Sequence, residues 1–381
     1  MADRLERVRN NHGSLLRAGR RVRNARPVVR TIAALRRAGG VILRYHSVSD
    51  DSGWAGDYIQ KSLVVPPDAF ERQVAALVKY HRVVPVETLA AAVRRGKRVD
   101  SGAVAITFDD GYEDNYRVAL PILRKYGATA MFYVSTAAVG DADILWTVKL
   151  RHALKKCPEE SLTLSFLGTR PLDLSSDSAR EAAIKMVTGL VKRCKRDEID
   201  RILTEVDQRV TSNGNPVSRR IMMNWDEVAE LSESGMGIGA HTVSHFNLPS
   251  LDTSHVAQEV VASKREIEER LGRPVRHFAY PNGRTDHHCD ARVAKIVALA
   301  GFESAATSLA GPVSSRYAEY CLPRLGVAPR HSDVERLLAD VQYSKFKYQN
   351  LRTVEEITRV LPVGGDADAG NHLQSHDGGD V

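Results

Sequence analysis

The chain of 381 residues has no apolar stretch that approaches the roughly 18 to 20 residues needed to cross a membrane. It also opens without the apolar core and small-residue cleavage site of a signal peptide, so we do not expect export by that route. Its four cysteines are scattered and form no CxxC pair, which predicts reduced thiols rather than a disulfide framework. Together these absences predict a cytoplasmic protein, with the inner face of the membrane as an alternative location.

Aromatic residues are absent from residues 1–39, although this arm holds eleven arginines. With only two acidic residues beside these arginines, the arm has a net charge of +9. Since the whole chain has a net charge of +7, the rest of the chain has a net charge of −2. Without aromatic rings for base stacking, nucleic acid is the weaker partner for such a segment. Two alternatives stay open: amphipathic helices on an anionic membrane surface, and a solvated extension that packs on the body.

Beyond the arm, strand-favouring runs alternate with amphipathic helical patterns, which predicts an α/β fold built on a parallel sheet. The predicted strands are Gly40–Tyr45, Arg82–Pro85, Ala103–Phe108, Thr129–Val134, Met236–Ala240, His277–Tyr280, Ser304–Thr307 and Tyr320–Leu325. Seven or eight such strands suit a barrel-like arrangement. The alternation stops at about residues 141–220, where helices and a hairpin predict an inserted lobe. We expect the main domain to span residues 40–345, followed by an extension, 346–381, that is largely disordered.

Two adjacent carboxylates, Asp109 and Asp110, directly follow a strand-like apolar run and precede Gly111. The carboxyl ends of strands are where sheet-based enzymes assemble their sites. Two neighbouring carboxylates cannot cheaply share one environment as bare anions. A nearby cation would resolve this conflict, because one carboxylate could bind it and the other could act as a base. The alternative is an ordinary solvated turn, since Asp-Asp-Gly is favourable turn chemistry.

Two histidines, His241 and His245, follow another predicted strand at a spacing that lets them converge on one cation. With one aspartate they form a two-histidine, one-carboxylate set that leaves positions open for water and substrate. The alternative is a pair of ordinary surface histidines. Because both motifs end strands of one sheet, the sequence favours a metal site.

Two further motifs end predicted strands. Pro281-Asn282-Gly283 is a turn that can direct a backbone N–H towards the site as an oxyanion donor, although alone it indicates only a turn. His46 ends the first strand, where a histidine titrating near neutral pH could protonate a leaving group. A structural histidine is the alternative there.

The motifs TFDDG at Thr107–Gly111 and HTVSH at His241–His245 resemble those of the polysaccharide deacetylases, carbohydrate esterase family 4 with its NodB-homology domain. The resemblance runs from about residue 40 to residue 341. It implies a distorted, incomplete (β/α) barrel and a metal-dependent hydrolase that removes N-acetyl groups from an amino-sugar-containing glycan. It also implies that Asp109 is the general base and that Asp110, His241 and His245 hold a divalent metal, usually zinc.

The sequence departs from the family pattern in its third motif, where many members have the arginine of FRxPYG and this chain has Ala279. The resemblance makes the Asn282 N–H the oxyanion donor. The late Leu-x-x-His segment that usually brings the catalytic acid is also missing. In the branch of exopolysaccharide deacetylases the domain begins with a Tyr-His motif, and this chain resembles it in LRYHSV. In that branch the early histidine takes the acid role, so the resemblance implies that His46 is the acid.

Beside these motifs, Tyr112, Tyr280 and Pro281 are expected to contact substrate. The resemblance also implies that Arg324, in Leu-Pro-Arg, supports the catalytic residues from behind. The expected substrate is an acetylated glycan or glycolipid. Other functions stay open: a deacylase of a glycolipid, a small amide or an O-acetyl ester on the same fold, and a catalytically silent glycan-binding module.

Overall fold

The computed structural model describes residues 39–50, 56–140, 144–211, 220–282, 289–314 and 319–327. The basic arm, apart from Gly39, and the predicted C-terminal extension lie outside the described residues, so the domain boundaries placed there stay predictions. Within the described part of the chain, no helix is both long and apolar enough to cross a membrane.

The strands are β1 (Val41–Tyr45), β2 (Ser47–Val48), β3 (Val64–Val65), β4 (Arg82–Val83), β5 (Ala103–Phe108), β6 (Ala130–Val134), β7 (Ser161–Leu162), β8 (Leu172–Asp173), β9 (Gly237–Ala240), β10 (His277–Ala279), β11 (Ser304–Ala306) and β12 (Leu325–Gly326). The helices are α1 (Pro67–Tyr80), α2 (Val86–Arg94), α3 (Leu120–Lys125), α4 (Trp146–Lys156), α5 (Asp177–Val191), α6 (Arg196–Thr211), α7 (Trp225–Glu233), α8 (Thr253–Leu271) and α9 (Ala291–Leu299).

Eight of these strands form one sheet in the order β11-β10-β9-β6-β5-β1-β12, with β4 also paired to β5. Every pairing in this sheet is parallel. Helices therefore connect the strands, and all the carboxyl ends lie at one edge. The prediction of an α/β incomplete barrel is confirmed. The strand predicted at Tyr320–Leu325 is wrong in part, because a 3₁₀ turn occupies Glu319–Cys321 and only Leu325–Gly326 is strand.

The sheet curls because the segment after Cys321 reaches both of its ends. Leu322 bridges to Ala306 of β11, and Leu325 pairs with Leu43 of β1. Each of these contacts covers only one or two residues, so a short segment rather than a full strand spans the gap and the barrel stays incomplete. This segment also carries Arg324, which therefore lies inside the barrel.

The two faces of the sheet carry side chains of different size. The outer face packs large side chains, such as Tyr45, Phe108 and Phe132, against the helices. The inner face carries a second cluster with smaller members, such as Ala105 and Ala279. On β9, an added Cβ at Gly239 would lie 2.5 Å from the Tyr133 ring, so only glycine fits there. Glycine at this position therefore lets the Tyr133 ring and the β10 backbone pack closely against β9.

The inserted lobe comprises α4, α5, α6 and the antiparallel pair β7–β8, and it leaves the barrel after β6 and returns before β9. Its helices pack on one another through buried aliphatic residues such as Leu154, Val187 and Ile199. Helix α5 begins with Ser176, whose hydroxyl accepts from the Ala179 N–H. The lobe rests on the loop that follows β9, which brings it to the carboxyl edge of the barrel.

Candidate active site

The backbone around the predicted motifs is held in an unusual conformation. Among the described residues, the non-glycine positions with positive φ are Asp110 (79°), Thr242 (69°), His245 (58°) and Asn282 (66°). All four lie in the three motifs that end β5, β9 and β10. A left-handed backbone at ordinary residues costs energy and persists where the surrounding structure enforces it, commonly at functional sites.

Asp110, His241 and His245 converge as the sequence predicts. Asp110 Oδ1 lies 3.4 Å from His241 Nε2 and 3.2 Å from His245 Nε2, and all three side chains are buried. Burial raises the pKa of Asp110, but the two histidines lower it well below its usual range. One carboxylate oxygen and two imidazole nitrogens therefore face a common point.

The donor set fits a divalent cation. Ligands about 2.0–2.2 Å from a tetrahedral zinc ion lie roughly 3.3–3.6 Å from one another, close to the separations from Asp110. The Nδ1–H of His241 donates to the Ala279 carbonyl at 2.7 Å, which leaves the Nε2 lone pair directed at the site. Orientation of a ligating imidazole by such a bond is usual in metal sites.

The loop that carries the histidines is held from three directions. Behind it, the Thr136 N–H and the Ala137 N–H donate to its backbone carbonyls. From α8, Glu259 accepts from the Ser244 N–H at 2.8 Å. From the lobe, the Trp146 indole N–H donates to the His245 carbonyl at 3.0 Å. The tryptophan is a contributor that sequence reasoning missed, because nothing in the pattern of α4 connects it with a loop about 100 residues later.

Asp109, the neighbour of Asp110, has a different partner. The two terminal guanidinium nitrogens of Arg324, Nη1 and Nη2, donate to its two carboxylate oxygens at 2.6 and 2.8 Å. Both side chains are almost wholly buried. Burial raises the pKa of Asp109, but the Arg324 charge and hydrogen bonds lower it to about 2. Arg324 therefore lies beside a predicted catalytic residue, in the barrel interior, as the sequence analysis expected of a supporting residue.

His46 lies at the end of β1, and its carbonyl accepts from the Asn115 amide at 2.7 Å. The residue as a whole is only partly exposed. Burial lowers the pKa of His46 to about 4, and this outweighs the raising effect of Asp110. The expectation that His46 titrates near neutral pH is therefore wrong for the free site, because a buried imidazolium loses hydration that the nearby carboxylates do not replace.

The expected substrate-contacting residues fall into two groups. Tyr112 is buried beside Asp110, and its phenol donates a hydrogen bond to that carboxylate. Burial is the larger cause of the raised pKa of Tyr112, and Asp110 raises it further. The prediction that Tyr280 contacts substrate is wrong. It lies on the outer face of the sheet, wholly buried against Phe278, with its hydroxyl donating to the Tyr320 carbonyl at 3.0 Å. Because side chains alternate along a strand, the inward position of Ala279 turns Tyr280 away from the site.

The turn after β10 is described as far as Asn282. Pro281 is buried, and Asn282 is partly exposed in a left-handed conformation that asparagine tolerates better than most residues. The Asn282 side-chain nitrogen is buried and has no hydrogen-bond partner among the described residues. The glycine at position 283 lies outside them.

Arg44 is a second residue that the sequence analysis overlooked. It is the one charged residue of β1, and its side chain lies in the barrel interior near Arg324 and both aspartates. A signal was present, because a charged residue inside an otherwise apolar, buried strand is uncommon without a partner or a function.

Comparisons with known proteins identify a family for this chain. A family model described as polysaccharide deacetylase matches residues 96–164 and 192–305. A protein of Bacillus subtilis (strain 168), YxkH, provisionally classed as a polysaccharide deacetylase, is 22% identical over 290 residues, which cover 76% of this chain and 71% of that protein.

Two solved structures share the fold. The Streptococcus pyogenes deacetylase PplD, in complex with acetate, has a TM-score of 0.52 at 19% identity and covers 79% of this chain and 97% of its own. IcaB from Ammonifex degensii has a TM-score of 0.50 at 18% identity, with the same coverage.

Fold and site define an α/β-barrel hydrolase with a buried aspartate and two histidines at the carboxyl edge of its strands. The chain belongs to the polysaccharide deacetylase family, which confirms the resemblance in its sequence motifs. It is thus a hydrolase of carbon–nitrogen bonds other than peptide bonds, and it acts in glycan deacetylation.

Proposed function

We propose that this protein removes N-acetyl groups from an amino-sugar-containing glycan in a metal-dependent reaction that releases acetate. The observation that carries the proposal is the convergence of Asp110, His241 and His245 next to an aspartate with a different partner. A binding module would need neither a buried donor set for a cation nor a separate, arginine-held carboxylate.

Asp110, His241 and His245 would hold a divalent cation, for which zinc suits two imidazoles and one carboxylate. When bound, such an ion polarises an acyl oxygen and lowers the pKa of water. Because the set provides three ligands, positions remain for water and for the substrate.

Asp109 is the proposed general base. It lies beside the donor set, but Arg324 holds both of its oxygens, so it keeps its place as an anion when Asp110 binds a cation. It would take the proton of the attacking water as the new carbon–oxygen bond forms. An anion with so low a pKa is a weak base, so the reaction depends on a water that is itself acidified.

His46 is the proposed acid, and the Asn282 N–H is the proposed donor to the developing oxyanion. Because His46 is uncharged at neutral pH in the free site, it must take up a proton before it delivers one. The proton that Asp109 removes from the attacking water is the one that His46 can take up. The carbon–nitrogen bond then breaks, the nitrogen takes this proton, and acetate and the free amine leave.

Acetate release from a panel of N-acetylated oligosaccharides and lipid-linked sugars tests the proposal. We expect release that stops with a chelator and returns when zinc is added back. Sugar binding without acetate from any substrate would instead indicate a silent glycan-binding module. Release that persists undiminished in the chelated, metal-free protein would overturn the metal dependence. Release of another acyl group in place of acetate would identify a different deacylase.

A further inference from the structure

Arg44 carries a positive charge, and it forms no ion pair with any carboxylate of the described residues. Its Nη1 donates to the Ser308 hydroxyl, and its Nε is buried without a partner among the described residues. Both oxygens of Asp109 are taken by Arg324, and Asp110 faces the two histidines. The close partners of both site carboxylates are therefore residues other than Arg44.

Arg44 is also positioned to meet a ligand. Burial, with a contribution from the Arg324 charge, lowers its pKa to about 10, so protein surrounds the guanidinium. Its side chain nevertheless keeps some exposed surface. Arg44 therefore lies at the boundary between the barrel interior and solvent, where a bound molecule could reach it.

Lys192 supplies a second such cation, from the lobe. It follows the last residue of α5, and its carbonyl accepts from the Asn247 amide at 2.8 Å. Asn247 is two residues beyond His245, so the end of α5 is fixed beside the metal-ligand loop. Lys192 keeps some exposed surface, and the described residues offer its ammonium group no hydrogen bond or ion pair. Burial lowers its pKa, and Asp110 is the charged group that acts against this shift.

The two cations approach the site from different sides. Arg44 projects from β1, which adjoins β5 and its aspartates, while the lobe bearing Lys192 rests on the loop after β9. Both interact electrostatically with Asp110. A divalent ion bound at Asp110 would add positive charge near both side chains, and clustered positive charge raises the local concentration of anions.

We propose that Arg44 and Lys192 bind an oxyanion carried by the substrate, so that the protein acts on an acidic N-acetylated sugar rather than on a neutral glycan. This inference rests on the proposed function. The shared chemistry is a phosphate ester or a carboxylate close to the N-acetyl group, because a guanidinium binds either through paired hydrogen bonds and an ammonium adds a point charge.

The test compares kcat/KM for acetate release from three substrates with the same N-acetyl sugar. These are a neutral N-acetylglucosamine oligosaccharide, N-acetylglucosamine 1-phosphate, and an oligosaccharide that alternates N-acetylglucosamine with glucuronate. We expect at least one anionic substrate to exceed the neutral one by about tenfold or more, the scale of one charged hydrogen bond. Whether the phosphate or the carboxylate gives the preference identifies the source of the oxyanion.

Variants assign that preference to the two side chains. Arg44→Gln and Lys192→Gln should each reduce the anionic-to-neutral ratio, mainly through a higher KM for the anionic substrate. Arg44→Lys and Lys192→Arg should keep most of it. Lys185→Gln is the matched control, because Lys185 is an exposed lysine on the same helix, α5, and its loss should leave the ratio unchanged. Lys192 lies on the lobe, so its variants test the inference even if Arg44→Gln fails to fold.

Equilibrium binding separates failure of this inference from failure of the proposed function. Binding of N-acetylglucosamine 1-phosphate and of N-acetylglucosamine is measured with the same zinc-loaded variants. Suppose that no substrate releases acetate, but that N-acetylglucosamine 1-phosphate binds more tightly than N-acetylglucosamine and that Lys192→Gln weakens its binding. The deacetylase proposal then fails and the anion site stands. If neutral and anionic sugars are used and bound alike, or if Lys192→Gln behaves like Lys185→Gln, the inference is wrong.

Discussion

The outer and inner faces of the barrel strands differ in the roles of their side chains: on the outer face neighbouring residues share one role, and on the inner face they have different ones. On the outer face, Phe108 and Phe132 stack at 4.8 Å and are interchangeable in kind, since each fills volume against a helix. On the inner face, beyond the end of β5, the adjacent residues Asp109 and Asp110 have different partners, Arg324 and the histidines. Outer positions therefore contribute chiefly to stability, whereas inner positions at the carboxyl edge have separate chemical tasks.

The largest expected effect comes from splitting those tasks. Asp110→Ala removes a direct ligand, so metal affinity should fall by more than the roughly 10- to 100-fold typical of outer-shell changes, and turnover should be lost. Asp109→Asn should retain zinc and lose about 10²- to 10⁴-fold in kcat, the range for a general base. Elemental analysis and acetate release measure the two properties. Equal metal loss in both variants would contradict the division of roles.

The second prediction concerns the outer face. Phe132→Ala leaves a cavity in the core, so the free energy of unfolding should fall by about 3–5 kcal/mol. Its folded fraction should still bind one zinc ion with unchanged affinity, because Phe132 points away from the site. Urea unfolding and zinc titration of the same preparation check both points. A large loss of zinc affinity at unchanged stability would mean that the two faces are not independent.

The same contrast explains what the sequence could predict. Strand positions follow from period-2 apolar runs such as that of β5, and the metal ligands follow from motifs at strand ends, because both depend on local order along the chain. Arg324 could be placed near the site only through a resemblance. Its pairing with Asp109 spans 215 positions and depends on how the barrel closes. The prediction that Tyr280 contacts substrate is wrong because its motif alone does not show the alternation of side chains along β10, which turns Tyr280 outward.

The third prediction concerns the ion pair inside the barrel. Arg324→Met leaves Asp109 buried without its partner, which should cost about 3–5 kcal/mol at neutral pH. In the unaltered protein the pKa of Asp109 is about 2, below its unfolded value of 3.8, so its stabilising contribution is present above pH 3.8 and is lost as the pH falls towards 2. Without Arg324 that pKa should rise, and protonation of Asp109 should relieve the penalty as the pH falls.

Urea unfolding at pH 7 and at pH 4 measures this change. The stability difference between Arg324→Met and the unaltered protein should be smaller at pH 4 than at pH 7. Arg276→Met serves as the control, because Arg276 is an exposed arginine paired with Glu303, and it should change stability by about 1 kcal/mol or less at either pH. A difference for Arg324→Met that is the same at both pH values would show that the cost comes from lost packing and not from the unpaired carboxylate.

The smallest expected effect tests whether the lobe belongs functionally to the inner face. Trp146→Phe keeps the ring against Phe246 but removes the N–H that donates to the His245 carbonyl. A neutral hydrogen bond contributes about 0.5–1.5 kcal/mol, so zinc affinity should fall by roughly two- to tenfold if that bond positions the ligand. Trp225→Phe is the control, since Trp225 lies on α7 against Arg270 and should leave zinc affinity unchanged. Equal zinc affinities in both variants, measured by competition with a chelator, would mean that the lobe covers the site without helping to build it.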